Sequence, residues 1–165
     1  MCIRDRIAAA EESLGGYQAL QRTRPHSLAY AMADNPVAQA AWIVERLHDW
    51  ADLRKRPFEA VFSRDQILTE VMIYVTNDAF ATASWFYAGT AAEGVNAMPQ
   101  GQRVVIPTAV AAHPDPRAPF PPRSWVERGY NVVRWSDLPR GGHFVAMEVP
   151  ELFVADLREW GRSLA

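Results

Sequence analysis

A chain of 165 residues is one domain's worth of sequence, long enough for a hydrophobic core and too short for two ordinary domains. Hydrophobic residues at 49%, charged residues at 22% and a formal net charge of -2 exclude a disordered chain and leave no electrostatic footprint for nucleic acid, so a small molecule or a protein is the expected partner. The single cysteine, Cys2, excludes an internal disulfide framework and a cysteine metal cluster; no metal or cofactor is expected, membrane association is not indicated, and a cytoplasmic location is the default.

Residues 1–6 are polar and lack the apolar stretch of a signal peptide. They are expected to be a non-native leader, with native sequence lost ahead of them. A helical pattern follows from Ile7 to Gln21, broken at Gly15-Gly16, because glycine inside a helix costs about 1 kcal/mol relative to alanine. Tyr17 comes directly after the break, and Arg24-Pro25 closes the element. Asn35 as cap and Pro36 in the first turn start the next helix, predicted to reach about Trp50 with Val37, Ala40, Ala41, Val44 and Leu47 on its buried stripe. Ala51 to Phe62, carrying Arg54-Lys55-Arg56-Pro57, reads as a solvated loop. Ser63 and Gln66 have capping-box spacing before a helix whose stripe is Ile67, Leu68, Met72 and Val75. Phe80 to Ala92 is the next helix; Trp85, Phe86 and Tyr87 are consecutive, about 100° apart, so at least one must face something other than the core, a pocket included.

The composition changes at Met98-Pro99. Arg103 to Pro107 has the apolar character of a fully buried strand, and Thr108 to Ala112 continues it into a loop stiffened by Pro114, Pro116, Pro119, Pro121 and Pro122. A short helix, Trp125 to Gly129, leads to a strand, Tyr130 to Trp135, then to a loop with Gly141-Gly142-His143, then to a helix from Pro150 to Leu164 with Phe153, Leu157, Trp160 and Leu164 on its apolar stripe. The fold class is α/β, and the order of elements at the end is that of a parallel sheet, in which functional groups collect at the carboxyl ends of the strands.

Asp115 and His143 both fall at such ends, separated by 28 residues, the length one helix and one strand need to place two loops side by side. A histidine gives and takes protons near neutrality, and two preceding glycines free its backbone. An acid–histidine pair is the orienting and base portion of a nucleophile–histidine–acid triad, although no G-x-S-x-G elbow occurs in the chain. A turn that merely contains a histidine is the plainer alternative.

The segments Gly16-Tyr17-Gln18-Ala19-Leu20-Gln21-Arg22-Thr23-Arg24-Pro25, Leu28 to Met32, Ala40 to Ile43, Phe62-Ser63 with Asp65, Tyr87, Val105 to Thr108, and Gly141 to Glu148 followed by Pro150-Glu151 together resemble the C-terminal part of the microsomal-type epoxide hydrolases and their bacterial relatives. The resemblance implies a partial α/β-hydrolase fold: a helical cap over residues 7–98, then the last two parallel strands and C-terminal helix of the core over 99–165. It further implies an aspartate nucleophile, absent from this chain, that opens an epoxide to an alkyl-enzyme ester. Tyr17 and Tyr87 would donate hydrogen bonds to the epoxide oxygen, and His143 with an acid would activate the water that releases a diol. The substrates so implied are a small-molecule epoxide and water, and this chain alone is expected to be inactive. The acid departs from the family pattern, since His113-Pro114-Asp115-Pro116 sets Asp115 one position early, with Glu127 and Asp137 as alternatives on the following segment. Glu148 can serve instead to hold the histidine loop, and Tyr30 and Tyr74 are expected to pack, either one replacing Tyr17 or Tyr87 if the helix register differs from this reading. Another capped α/β-hydrolase, such as an esterase or haloalkane dehalogenase, and a non-catalytic binding protein that kept the cap remain open.

Overall fold

The computed structural model describes residues 2–94 and 101–164. Helices fill the first part: α1 Ile3–Leu14, α2 Gly16–Thr23, α3 Pro25–Met32, α4 Pro36–Trp50, α5 Phe58–Val61, α6 Arg64–Thr76 and α7 Phe80–Glu93. Strand β1 Val104–Ala112, helix α8 Arg123–Gly129, strand β2 Tyr130–Asp137, and helices α9 Val145–Glu148 and α10 Pro150–Ser163 follow. The boundary expected at Met98-Pro99 lies outside the described residues. Residues 3–6 of the expected leader form the first turn of α1 without interruption.

Local signals place most of these ends. Asn35 Oδ1 accepts the Ala38 amide at 3.0 Å at the start of α4, and Ser63 and Gln66 close their capping box at 3.2 and 2.9 Å at the start of α6. Gly15 separates α1 from α2, where a Cβ would stand 2.4 Å from the Glu11 carbonyl oxygen. Pro25, expected only to end an element, also starts α3, since proline suits the first helical turn.

β1 and β2 pair in parallel, with α8 as the crossover, and the Leu138 amide extends the ladder to Ala112 O at 2.7 Å. The register is irregular between Val104 and Pro107, where proline has no amide to donate. The expectation of a fully buried first strand is corrected: Val105 and Ile106 are 77% and 69% exposed, because the two-stranded sheet leaves their faces uncovered.

The core joins Leu47, Ala51, Val61 and Phe62, with Ile43, Leu53, Phe58, Ile67, Phe144 and Met147 packed around it. This revises the reading of residues 51–62 as a solvated loop. Its middle, including Arg54, Lys55, Pro57, Glu59 and Ala60, is exposed, while Ala51, Asp52, Val61 and Phe62 at its two ends are buried. Three stripes also turn from their expected positions. In α4, Gln39, Ile43, Leu47 and Trp50 face inward and Val37 is exposed. In α6, Val71 is buried and Leu68 and Met72 are exposed, and Leu157 of α10 and Leu164, just after it, are exposed. Apolar periodicity fixes a helix but not which of two adjacent apolar flanks finds a partner.

Candidate active site

The histidine loop lies on the C-terminal end of α4. The His143 amide donates to Trp50 O at 2.8 Å, satisfying a carbonyl that the helix leaves open. Each preceding glycine is required for a different reason. Gly141 adopts φ +109°, a conformation L side chains rarely adopt, and a Cβ on Gly142 would stand 2.5 Å from both Trp50 O and Asp52 N.

Two buried carboxylates bind this loop to the chain after α4. Glu148, 3% exposed, accepts the amides of Asp52 and Gly142 on Oε2, each at 2.8 Å, and that of Phe144 on Oε1 at 3.0 Å. Asp52 Oδ2 accepts the Gly141 amide at 3.1 Å and Arg54 Nη2 at 2.8 Å, while Oδ1 accepts Arg54 Nε at 2.6 Å. The Arg54 hydrogen bond is the main cause that brings the Asp52 carboxyl to about 2, against the upward push of burial, with the Gly141 amide assisting.

His143 Nδ1 lies 2.8 Å from Asp115 Oδ2, so the loops after β1 and β2 bring the two predicted groups together. Asp115 Oδ1 accepts the Arg117 and Ala118 amides at 2.8 and 3.1 Å, which fixes the carboxylate from the side away from the imidazole. Burial raises the Asp115 carboxyl, but His143 and these amides outweigh it and hold the group below the ordinary carboxylate range. The Asp115 side chain is 5% exposed and that of His143 39%, so the acid is enclosed and the imidazole remains accessible. The two alternative acids are engaged elsewhere: Glu127 pairs with Arg123 at 2.8 Å, and Asp137 accepts the Trp135 indole at 3.1 Å.

Tyr17 and Tyr87 meet edge to face, ring centroids 5.8 Å apart, on the wall of a cavity of about 230 Å³. Burial, then the neighbouring Tyr17 phenol, raises the Tyr87 hydroxyl above its usual value. Tyr74 also lines this cavity, whereas Tyr30, expected to pack, is 78% exposed. In the aromatic run, Tyr87 reaches the cavity while Trp85 and Phe86 are 49% and 69% exposed. His143 and Asp115 do not line the cavity; Trp50 connects them to it, with its ring 4.7 Å from Tyr17 and 5.0 Å from His143. Trp50, Asp52 and Arg117 had no sequence signal as site residues, because each acts through partners distant in the chain. Among the described residues, no group of three or more His, Cys, Asp or Glu could hold a metal ion, and no helix is long and apolar enough to cross a membrane.

No protein-family model matches the chain. It is 35% identical over 152 residues to epoxide hydrolase 1 of Sus scrofa, covering 88% of this chain and 33% of that protein. It is 34% identical over 149 residues to epoxide hydrolase 1 of Oryctolagus cuniculus, covering 86% of this chain and 32% of that protein. Among solved structures, the Aspergillus niger epoxide hydrolase is similar with a TM-score of 0.75 at 26% identity, over 98% of this chain and 40% of that one. The chain spans about a third of the length of the curated relatives it matches.

Proposed function

The chain belongs to the epoxide hydrolases and carries part of their α/β-hydrolase fold, and on that premise we propose that it supplies the water-activating pair and the phenol donors of an enzyme that converts an epoxide to a diol. The observation that carries this reading is the 2.8 Å contact of His143 Nδ1 with Asp115 Oδ2 at the carboxyl ends of two adjacent parallel strands. With Nδ1–H donated to the carboxylate, Nε2 is left as the acceptor that a general base needs.

In the first half-reaction an aspartate, placed by this proposal in sequence ahead of the chain, attacks an epoxide carbon. The carbon–oxygen bond breaks, and the oxygen takes a proton from one phenol of Tyr17 and Tyr87 while accepting a hydrogen bond from the other. Two donors aimed at one oxygen stabilise the charge that develops on a poor leaving group. In the second, His143 Nε2 takes a proton from water, and the resulting hydroxide attacks the ester carbonyl. The ester acyl–oxygen bond breaks, the diol leaves and the carboxylate is regenerated; Asp115 steadies the imidazolium until its proton returns, through water, to the phenolate left by the first half-reaction.

The test joins this chain in frame to the nucleophile-bearing portion of a related epoxide hydrolase and follows a single turnover of an aryl epoxide. The His143→Gln variant is expected to form the ester and to accumulate it. Diol release at the parent rate by that variant removes His143 as the base, and ester formation unchanged in the Tyr17→Phe, Tyr87→Phe double variant removes the phenols.

A further inference from the structure

One buried cation links the two halves of this site. Arg117 follows Asp115 on the loop after β1, and its side chain is only 9% exposed. Its amide donates to Asp115 Oδ1, while its guanidinium reaches into the helical region: Nη1 to Glu11 Oε1 on α1 at 3.1 Å, and Nη2 to Gln18 Oε1 on α2 at 3.3 Å. Its Cζ lies 5.4 Å from the centre of the Tyr17 ring. The backbone of one residue therefore holds the acid, and its side chain holds the helix that carries a phenol.

We propose that Arg117 is a positioning residue that docks Tyr17 against the acid loop and sets a fixed positive charge behind the Tyr17–Tyr87 pair. Burial of a charge opposes stability unless every donor is paired, and Arg117 Nε is buried with no hydrogen-bond partner. An apolar side chain of similar volume would meet the packing requirement at lower cost, so the guanidinium is explained by its position and charge. Glu11 is 54% exposed at its side chain, so its compensation of that charge is screened by solvent, whereas the half-buried Tyr17 ring lies directly against the guanidinium, its centre 5.4 Å from Cζ. A cation there favours negative charge on or beside the phenols, the charge that develops as an epoxide oxygen leaves.

This inference rests on the reading of Tyr17 and Tyr87 as donors, but its test needs no turnover and so can fail independently. The phenol of Tyr87 is faced by Tyr17 from α2, by Tyr74 from α6 and by Arg117 from the acid loop, with Arg46 of α4 and Glu70 of α6 on the same cavity wall. Ultraviolet titration of tyrosine ionisation in the 165-residue chain, with Tyr87→Phe to assign its transition, reads the charge directly. In Arg117→Met the Tyr87 transition is expected to move up by about half a pKa unit or more, while in Arg117→Lys it stays near the parent. A purely structural Arg117 gives the opposite sign in the methionine variant, because a loosened cavity admits water and brings Tyr87 down toward the ordinary phenol value of about 10. A downward or absent shift in Arg117→Met overturns the proposal. Should that variant not fold, Arg117→Lys decides: a Tyr87 transition within experimental error of the parent supports the charge, and a downward one refutes it.

Discussion

The carboxylate of Glu148 accepts the amide of Asp52, 96 residues earlier in the chain, at 2.8 Å. The same oxygen accepts the amide of Gly142, immediately before the histidine, so one buried side chain fixes the loop after β2 to the segment after α4. His143 is thereby set against Trp50, ring centroids 5.0 Å apart, and Trp50 stands between it and the cavity.

Glu148→Ala leaves the amides of Asp52, Gly142 and Phe144 buried without this acceptor. At about 1 kcal/mol or more for each stranded donor, the chain should lose about 3 kcal/mol, measured as a lower urea midpoint. A loss below about 1 kcal/mol means that water replaces the carboxylate and that the loop is held elsewhere.

Gly142→Ala places a Cβ 2.5 Å from backbone atoms that cannot move aside, whereas Gly16→Ala meets nothing within 4 Å. The first should cost at least about 2 kcal/mol and accelerate hydrogen exchange of the His143 amide. The second should be neutral, or stabilising by up to about 1 kcal/mol. Equal tolerance of both substitutions would mean that the loop is not seated on α4 as described.

Acid should loosen the same region. Asp52 is held at about 2, below the ordinary carboxylate value of about 3.9, so its contribution is fully present above pH ~4 and is lost as pH falls through about 2. Asp115 and Asp156 are shifted in the same direction. Stability measured by urea should fall gently below about pH 6.5, because burial holds the His113 imidazole below its usual value, and more steeply below about pH 4, and Asp52→Asn should reduce the steeper decline. An unchanged acid profile in Asp52→Asn would assign the sensitivity to other carboxylates.

Asp115→Asn retains an oxygen for the amides of Arg117 and Ala118 but removes the charge facing His143. In the joined protein, ester hydrolysis should slow by about 10²- to 10⁴-fold while ester formation changes little. Equal slowing of both steps would indicate that Asp115 shapes the whole loop instead of serving the base.

The elements that local chemistry specifies were legible from the residues alone. Asn35 before Pro36, the Ser63–Gln66 box, Gly15 between two helical patterns, and two strands flanking a short helix each act within a few positions of themselves. The proximity of Asp115 to His143 was also accessible, since parallel strands joined by one crossover helix must bring their carboxyl ends together. Other features depend on groups far away in the chain. Whether Val105, Ile106, Leu68 and Met72 are covered depends on what packs against them, and an apolar residue reads the same in either case. The burial of Asp52 and Arg117 was contrary to their type: Asp52 has its charge partner, Arg54, two residues away but is covered by the segment of Gly141 and Glu148, and Arg117 meets Glu11, Gln18 and Tyr17, all about 90 or more residues distant. Sequence by itself determined the α/β order, the glycine pair and the placement of Asp115 and His143 on loops that follow the two strands, because each is a local backbone constraint. Only the tertiary structure decided which buried charges hold those loops, because a buried ion is tolerated only where several distant segments converge to satisfy it.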